Sequence, residues 1–402
     1  MWSPQNPLKV AMLVVDANDV RGSSMKSDTK PSPNVHPAIE ALLQGFEGLD
    51  GIEVHVLFGS LRPPTRIRSA QGAVHYHSIP YRRVCGGLSG GGFLGRFFSL
   101  RNYVRSHSFD LVHAQGSERE SAWTAVFSGI PSVITLHGLM GEVVKMKGNR
   151  TLWHYWVAAL LERLAIKRTD GVVAISPYAL RVVSGITPRA RFIPNAVRSE
   201  FYLESGVKKK GDVPTVLFVG NLTHVKRPDW FIRAVDALWE EGLSFKARML
   251  CMGNPKHPYF IEMVAMAERL PASRKIDLRY NVADVAGELD QADILFAPSI
   301  WESMGIAVCE AMAKKLCVVG SRIEANIPLL GQGCGVMFSA DNFDEAVNSL
   351  RSVILDREER KRISEKSLNR VKSYAPDVVA GETTDFYREI LKRRSESGND
   401  LK

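Results

Sequence analysis

The sequence has few cysteines for its length, and their arrangement excludes two classes of protein. Its 402 residues include five, Cys85, Cys251, Cys309, Cys317 and Cys334. The number is odd, the positions are scattered and no pair has C-x-x-C spacing. Neither a disulfide framework nor a cysteine-ligated zinc site is therefore indicated, and the pattern favours a reducing compartment.

Long apolar runs are also absent. No apolar stretch reaches about 18 residues, and the first residues, MWSPQNPLKVAMLVV, lack the basic n-region and cleavage site of a signal peptide. We therefore expect a cytoplasmic protein that does not cross the membrane. Hydrophobic residues make up 45% of the chain, enough for large cores. At roughly 100–200 residues per domain, two domains are expected.

The excess of positive over negative charge is confined to the first half of the chain. Residues 1–197 hold 22 Lys and Arg against 13 Asp and Glu, whereas the remainder holds 30 of each. A basic half attracts acidic substrates, anionic membranes or nucleic acid, although it is often an ordinary solvated surface. Most aromatic residues lie in apolar periodic segments, so a single-stranded nucleic-acid groove is not predicted.

One basic segment raises the question of membrane contact. Residues 82–107 combine a glycine-rich stretch with arginines and apolar residues at helical spacing. Such a segment either docks a peripheral protein on the anionic inner face of a membrane or packs its apolar side on its own sheet. The second interpretation, packing on its own sheet, is favoured.

Apolar segments alternate with amphipathic ones along most of the chain. Near-continuous apolar strands separated by helices indicate parallel sheets covered on both faces. The alternation defines a first domain at 1–197, a charged and glycine-containing linker at 198–213, and a second domain at 214–375. A final helical segment at 376–402 follows Pro376. In doubly wound α/β domains, ligands bind outside the carboxyl ends of the strands.

The stretch VGNLTHVKRPDWFIRA (219–234) predicts an anion site. A strand ends at Gly220, a loop carries Lys226 and Arg227, and Pro228 suits the first turn of a helix. Cations beside a helix N-terminus bind anions because the free N–H groups and the helix dipole both favour negative charge. The alternative interpretation is a pair of loop charges in water.

The stretch PSIWESMGIAVCEAMA (298–313) carries Glu302 and Glu310, eight positions apart. A continuous helix would separate them by about 12 Å, which exceeds the roughly 5–9.5 Å of a glycosidase carboxylate pair. The spacing instead suits two contacts on one elongated ligand such as a nucleotide sugar. Between them, the N–H groups of residues 303–306 open a helix and offer a second cradle for a diphosphate.

These motifs resemble those of the retaining glycosyltransferases of family 4, also called group 1. The similarity rests on the E-x7-E stretch and the lysine loop, together with FIPNAV (192–197), TLHG (135–138) and AISPYA (174–179). The resemblance implies the α/β GT-B fold, in which two doubly wound Rossmann-like domains face a cleft. The first domain would bind the acceptor and the second the nucleotide sugar, and the C-terminal helix would cross back to the first domain.

The resemblance also assigns roles to matching positions. His137, Lys226 and Glu302 would be catalytic, with Lys226 on the diphosphate and Glu302 on the donor-sugar hydroxyls, while Glu310 would bind the ribose. The implied donor-binding residues are Gly220, Asn221, Lys226, Arg227, Glu302, Ser303, Met304, Gly305, Ile306 and Glu310. On the first domain's side of the cleft, the implied residues are Gly22, Ser23, His137 and Gly138.

Two departures from the family pattern affect these assignments. The family usually has an arginine directly after the glycine of the lysine loop, where this chain has Asn221. Either Arg227 supplies the second charge or the site is weaker. The family often has a Gly-Gly turn after its first strand, whereas this chain has a long polar loop with Gly22 alone. That loop predicts an unusual acceptor site.

The implied activity is transfer of a hexose from a nucleoside-diphosphate sugar to a hydroxyl of a glycan, lipid-linked or small-molecule acceptor, with retention of configuration. Such reactions serve polysaccharide or glycoconjugate biosynthesis. No D-x-D motif is present, so no metal and no cofactor are predicted. The alternatives are a non-catalytic nucleotide-sugar-binding relative and a different GT-B enzyme such as an epimerase. The sequence leaves open the base, the sugar and the acceptor.

Overall fold

The protein consists of two compact units. The computed structural model describes residues 6–15, 35–61, 66–68, 72–82, 92–117, 119–147, 153–203 and 213–399. The first unit contains the described residues up to Ala196 together with the segment from Pro376, and the second contains Val197–Ala375. Within the described ranges, no helix is long and apolar enough to cross a membrane.

The first unit is built on an eight-stranded sheet in the order β3-β4-β2-β1-β5-β6-β7-β8. Its strands are β1 Leu8–Leu13, β2 Ile52–Ser60, β3 Arg66–Arg68, β4 Val74–Pro80, β5 Leu111–Gln115, β6 Ser132–Leu136, β7 Gly171–Ala174 and β8 Ala190–Phe192. Seven of these strands pair in parallel, as predicted, whereas β3, which the sequence analysis did not identify, pairs antiparallel with β4. Three residues give too short a pattern for a prediction from periodicity.

Seven helices of the first unit cover this sheet. They are α1 Pro37–Glu47, α2 Phe93–Arg105, α3 Glu120–Val126, α4 Met140–Lys147, α5 Trp153–Arg168, α6 Pro177–Ser184 and α14 Pro376–Asn399. Side chains cap several of them. His36 accepts from the Ala38 N–H at the start of α1, and Ser176 accepts from the Ala179 N–H at the start of α6. Proline opens both helices, where its missing N–H costs nothing.

The C-terminal helix α14 packs directly on α1. The rings of Phe46 and Tyr387 stack at 6.4 Å, and both side chains are fully buried. Gly45 makes this contact close, since a Cβ at that position would lie 1.9 Å from the Pro376 carbonyl oxygen. The last helix therefore belongs to the core of the first unit.

Replacing Gly45 with alanine is expected to destabilise the first unit by about 1–3 kcal/mol or more, because the added methyl group meets backbone that cannot rotate away. Gly48→Ala is the matched control, since a Cβ there has no atom nearer than 3.8 Å. Thermal unfolding of both variants checks the prediction. Equal melting temperatures for the two variants would contradict it.

Of the segment considered for membrane docking, residues 83–91 lie outside the described residues. Residues 93–105 form α2, and the buried side of this helix packs on its own sheet. Leu100 and Val104 are buried in the core beneath it. Arg96 is also buried; its Nε donates to Glu120 Oε1 at 2.5 Å and its Nη1 to the Tyr81 hydroxyl at 3.0 Å. These residues are buried, which supports the interpretation that the segment packs on its own sheet. Membrane contact stays a prediction without a supporting feature.

The second unit is built on a wholly parallel six-stranded sheet in the order β11-β10-β9-β12-β13-β14. Its strands are β9 Thr215–Asn221, β10 Lys246–Met252, β11 Asp277–Tyr280, β12 Ile294–Ala297, β13 Cys317–Ser321 and β14 Val336–Phe338. Its helices are α7 Pro228–Glu240, α8 Pro258–Glu268, α9 Val285–Asp290, α10 Ile306–Ala313, α11 Ile327–Leu330, α12 Phe343–Leu355 and α13 Arg357–Val371.

Each sheet has one point where the strand order reverses. In the second unit the order runs outward from β9 to β11 and then resumes on the other side of β9 with β12. In the first unit the corresponding point lies between β1 and β5. Helices that leave neighbouring strands in opposite directions leave a crevice there, which is where doubly wound folds bind ligands. The ends of β9 and β12 therefore form the candidate binding crevice of the second unit.

Candidate functional site

The loop between β9 and α7 presents Lys226. The loop is held by backbone hydrogen bonds, from the Leu222 N–H to the Met252 carbonyl at 3.1 Å and from the Lys226 N–H to the Thr223 carbonyl at 3.0 Å. Arg227 then adopts a left-handed conformation with φ of 49° and ends the loop. Pro228 begins α7. The loop turns tightly here, and Lys226 therefore lies beside the point where the strand order of the sheet reverses.

Lys226 is paired with Glu302, which comes from the loop after β12. The ammonium Nζ contacts Glu302 Oε1, and the Ser299 hydroxyl donates to the same oxygen at 2.8 Å. A backbone hydrogen bond of 2.8 Å from the Ile300 N–H to the Val225 carbonyl ties the two loops together. Both charged side chains keep partial exposure, 26% for the lysine and 16% for the glutamate. The two predicted catalytic residues of this unit therefore meet in one accessible cluster.

Helix α10 begins next to this pair. Gly305 precedes its first turn and accepts from the Cys309 N–H at 3.0 Å. The Ile306 N–H donates to the Met304 carbonyl at 2.8 Å, so this member of the predicted cradle already has an internal partner. Ser303 is half-buried in the same loop. The N-terminus of α10 thus lies where the sequence predicted it, with one of its donors engaged.

A side chain at position 305 would be crowded by its neighbours. A Cβ built on Gly305 would lie 3.3 Å from Asn326 Oδ1. Asn326 is 1% exposed, and its Nδ2 donates to the Ser321 carbonyl at 2.9 Å. Its Oδ1 has no hydrogen-bond partner within the described part of the chain. A buried amide oxygen therefore faces the start of α10.

Glu310 lies in the middle of α10 and is buried, with 8% exposure. Arg198 is its nearest cation, with Nη2 3.9 Å from Glu310 Oε1, and the same guanidinium lies 3.0 Å from Glu200. Burial raises the pKa of the Glu310 carboxyl to about 7, while Arg198 acts in the opposite direction. A carboxylate kept partly protonated by burial gains from any ligand hydroxyl that hydrogen-bonds to its charged form.

Arg227 points away from the lysine loop. Its guanidinium donates to the Ala340 carbonyl and lies 4.3 Å above the Trp230 ring. The exposed Asn221 ends β9, beside the half-buried Gly220. In this structure Arg227 therefore does not supply the charge that the family's arginine would place next to Gly220, and its role in donor binding stays a prediction.

The first unit places His137 just after β6. Its Nε2 lies 2.8 Å from Gln115 Oε1 at the end of β5, and its ring lies 6.0 Å from that of His36. Burial, aided by the charge of His36, lowers the pKa of His137 to about 3, so the imidazole is neutral at pH 7. Gly138 follows it and has open space where a Cβ would lie.

A second neutral histidine lies beneath His137. His113 Nε2 lies 2.7 Å from Thr135 Oγ1, and its Nδ1 contacts the Tyr387 hydroxyl at 2.5 Å. Burial lowers its pKa to about 3. A narrow cavity runs between these histidines, lined also by Gln115 and Asn195. The other two candidates of the first domain, Gly22 and Ser23, lie outside the described residues.

Three residues of these clusters were missed by the sequence analysis. Ser299 donates to the Glu302 oxygen that Lys226 also contacts, Arg198 lies beside Glu310, and Gln115 hydrogen-bonds to His137. For Gln115 a signal existed, because it ends a strand whose parallel neighbour ends just before His137 and such ends meet at one edge. Arg198 gave no such signal, because its partner lies 112 positions away and only folding brings the two charged groups together. Ser299 lies three residues before Glu302, but its residue type and spacing alone do not indicate the hydrogen bond.

Comparisons with known proteins indicate the family to which the chain belongs. A family profile described as Glycosyl transferases group 1 matches residues 203–370, and one described as Glycosyltransferase Family 4 matches residues 38–201. The alpha-maltose-1-phosphate synthase of Mycobacterium tuberculosis is 25% identical over 297 residues, which are 66% of this chain and 75% of that protein.

Two further likenesses extend the comparison. The UDP-Gal:alpha-D-GlcNAc-diphosphoundecaprenol alpha-1,3-galactosyltransferase of Escherichia coli is 23% identical over 278 residues, 64% of this chain and 70% of that one. The sucrose-phosphate synthase structure from Thermosynechococcus elongatus has a TM-score of 0.74 at 14% identity and covers 96% of this chain and 100% of that one. The two profiles and the GT-B fold lead to one conclusion: the chain belongs to the family 4, group 1 glycosyltransferases.

Proposed function

We propose that the protein is a retaining, metal-independent hexosyltransferase that uses a nucleoside-diphosphate sugar. The observation that carries the proposal is the cluster of Lys226, Glu302 and Ser299 at the β9–β12 reversal point, beside the start of α10. It offers a cation and a helix N-terminus for a diphosphate and a carboxylate for sugar hydroxyls. Glu310 would bind the ribose, as the family resemblance implies.

The difficult step is departure of the diphosphate, because negative charge develops on it as the glycosidic bond breaks. Lys226 and the N–H groups at the start of α10 would stabilise that charge, and preorganised groups of this kind are often the largest catalytic contribution. When donor binds, the ammonium would exchange Glu302 for phosphate oxygens. Glu302 would then accept hydrogen bonds from the hexose, which are strong because the acceptor is charged.

The acceptor hydroxyl would attack from the face that the diphosphate leaves, which retains the anomeric configuration. His137 would act as a neutral hydrogen-bonding group near the transferred sugar, since its pKa of about 3 excludes an imidazolium at pH 7. The acceptor is a glycan, a lipid-linked sugar or a small molecule. The names of the relatives, one of which acts on a diphosphoundecaprenol-linked sugar, support this range.

A donor panel tests the proposal without knowledge of the acceptor. The protein is incubated with UDP-, GDP- and ADP-hexoses, and release of nucleoside diphosphate is measured in EDTA. We expect slow hydrolysis of one donor class, with UDP-sugars tried first because a named relative uses UDP-Gal. Binding of a donor without turnover, with acceptors also supplied, would favour the non-catalytic alternative. No binding of any donor would reject the proposal.

Stereochemistry and metal use are tested once a product forms. Proton NMR of the first product is expected to show the anomeric configuration of the donor, and EDTA is expected to leave the rate unchanged. An inverted product would reject the retaining mechanism. A loss of rate in EDTA that Mg²⁺ or Mn²⁺ restores would show that a metal, rather than Lys226 alone, holds the diphosphate.

A further inference from the structure

A cluster of histidines lies far along the sheet from the strand ends that carry His137. Glu53 and His55 alternate on β2, and His75 and His77 alternate on β4, so all four side chains project from one face of the first unit's sheet. The parallel register sets His55 directly beside His75. These residues belong to the N-terminal halves of their strands, at the edge opposite the carboxyl ends where α/β folds bind substrates.

Three of these side chains have the geometry of a metal site. Glu53, His55 and His75 each offer one ligand atom, and the three atoms lie within 4.8 Å of one another. His55 Nε2 is 3.8 Å from Glu53 Oε2, and the rings of His55 and His75 stack at 4.7 Å. Two ligands at about 2.1 Å from a tetrahedral zinc ion are about 3.4 Å apart. Small rotations of these side chains would bring the three ligand atoms to coordination distance from a single ion.

The hydrogen bonds of His55 leave the nitrogen that faces Glu53 available. Its Nδ1 lies 3.0 Å from His77 Nε2, and His77 Nδ1 lies 3.1 Å from the Tyr103 hydroxyl. When the His55 Nδ1–H donates to His77 Nε2 and the His77 Nδ1–H donates to the Tyr103 hydroxyl, the lone pair of His55 lies on Nε2. Metal-binding histidines characteristically donate their other N–H in this way, which fixes tautomer and ring orientation.

That nitrogen is also unsatisfied. His55 Nε2 is buried and has no hydrogen-bond partner among the residues that the structure describes. The competing cation for Glu53 is Lys9 at 3.8 Å, and its side chain is 49% exposed. Such an exposed pair is weak.

The donor set selects the kind of ion. Two imidazoles and one carboxylate suit zinc and the neighbouring divalent transition metals, whereas Mg²⁺ and Ca²⁺ prefer oxygen ligands throughout. Three protein ligands leave a fourth position for water. Because Glu53 is 35% exposed at the sheet surface, solvent and ions reach the site.

We propose that Glu53, His55 and His75 bind one divalent transition-metal ion of the zinc class, with His77 and Tyr103 orienting His55, and that the ion links β2 to β4. The site is independent of sugar transfer. Its expected consequence is greater stability of the first unit, since an ion that binds the folded chain alone stabilises it by mass action.

Zinc titration of the full-length, tag-free, metal-stripped protein tests the proposal. Calorimetry is expected to give one site per chain, and Co²⁺ is expected to give the visible absorption of a four-coordinate ion. His75→Gln and Glu53→Gln are each expected to weaken Zn²⁺ binding at least about tenfold, and His77→Ala about 10–100-fold as a loss of an orienting partner. Zn²⁺ is expected to raise the melting temperature of the wild type, and Mg²⁺ is expected to leave it unchanged.

His107→Gln is the matched control, because His107 is near the cluster but outside the ligand set. We expect it to bind Zn²⁺ as the wild type does. Equal weakening by His107→Gln and His75→Gln would indicate nonspecific histidine binding and overturn the proposal. Wild-type affinity in the Glu53→Gln/His75→Gln double variant would overturn it as well. Circular dichroism of the metal-free variants establishes that each is folded before binding is compared.

Discussion

Lys226→Ala is expected to lower kcat/KM for sugar transfer by about 10²–10³-fold, the usual effect of removing one preorganised donor to a developing negative charge. The loss should fall mainly on kcat, because the charge on the leaving diphosphate develops in the transition state. Steady-state kinetics with the donor found in the panel would measure it. Lys275→Ala, which removes an exposed lysine from the same unit, is the matched control and should be unaffected.

The pairing of Lys226 with Glu302 requires a second variant. Removing the lysine leaves a partly buried carboxylate without its cation, so activity could fall through misplacement of Glu302 alone. The double variant Lys226→Ala/Glu302→Gln also removes the negative charge of Glu302. We expect the double variant to be no more active than Lys226→Ala, because both groups serve the donor. Recovery of activity in the double variant, or activity of Lys226→Ala within about threefold of wild type, would remove Lys226 from catalysis.

Glu310→Gln is expected to weaken nucleotide binding about 10–100-fold, since hydrogen bonds to a charged group contribute roughly 1.5–3 kcal/mol each. The effect should appear equally for the nucleoside diphosphate alone and for the intact donor, because the ribose is common to both. Calorimetry with each ligand measures it. Glu365→Gln, an exposed carboxylate on α13, is the control. Unchanged affinity of Glu310→Gln for the nucleotide would contradict the ribose assignment.

The same substitution should change how stability depends on pH. The Glu310 carboxyl has an ordinary pKa of 4.5 and a pKa of about 7 in the folded protein. The folded state therefore binds more protons than the unfolded state between these values, and stability falls as pH rises through that window. The full difference of about 2.5 units corresponds to about 3 kcal/mol. We expect the stability advantage of Glu310→Gln over the wild type to be small at pH 5 and clearly larger at pH 8.

Urea unfolding of both proteins at pH 5 and pH 8 tests this directly. Wild type is expected to lose stability relative to Glu310→Gln at the higher pH, whereas Glu365→Gln should follow the wild type throughout. A Glu310→Gln variant that is less stable than wild type at pH 8 would show that Arg198 makes the ionised pair favourable in the fold. A buried carboxylate that binds ribose would then carry no stability cost.

Periodicity gave most of the fold because it reports burial. Strands such as β5 and β6 are mainly apolar and are buried along their whole length, which only a sheet covered on both faces allows. Short elements escaped the same reasoning. The three residues of β3 and the eight of α4 are too few for a period to be read, and their conformation depends on the neighbours on which they pack.

The lysine loop and the E-x7-E stretch predicted which residues of the second unit form a cluster. Lys226 and Glu302 follow two strands that lie side by side in the doubly wound topology. The amino-acid order alone therefore determined the two doubly wound sheets, the family and the proximity of Lys226 to Glu302. Tertiary structure decided the partners: Arg198 against Glu310, Arg227 turned to Trp230, and the histidines of β2 beside those of β4. The reason is that apolar periodicity is local, whereas side-chain pairing depends on register and rotamers set only when distant segments pack.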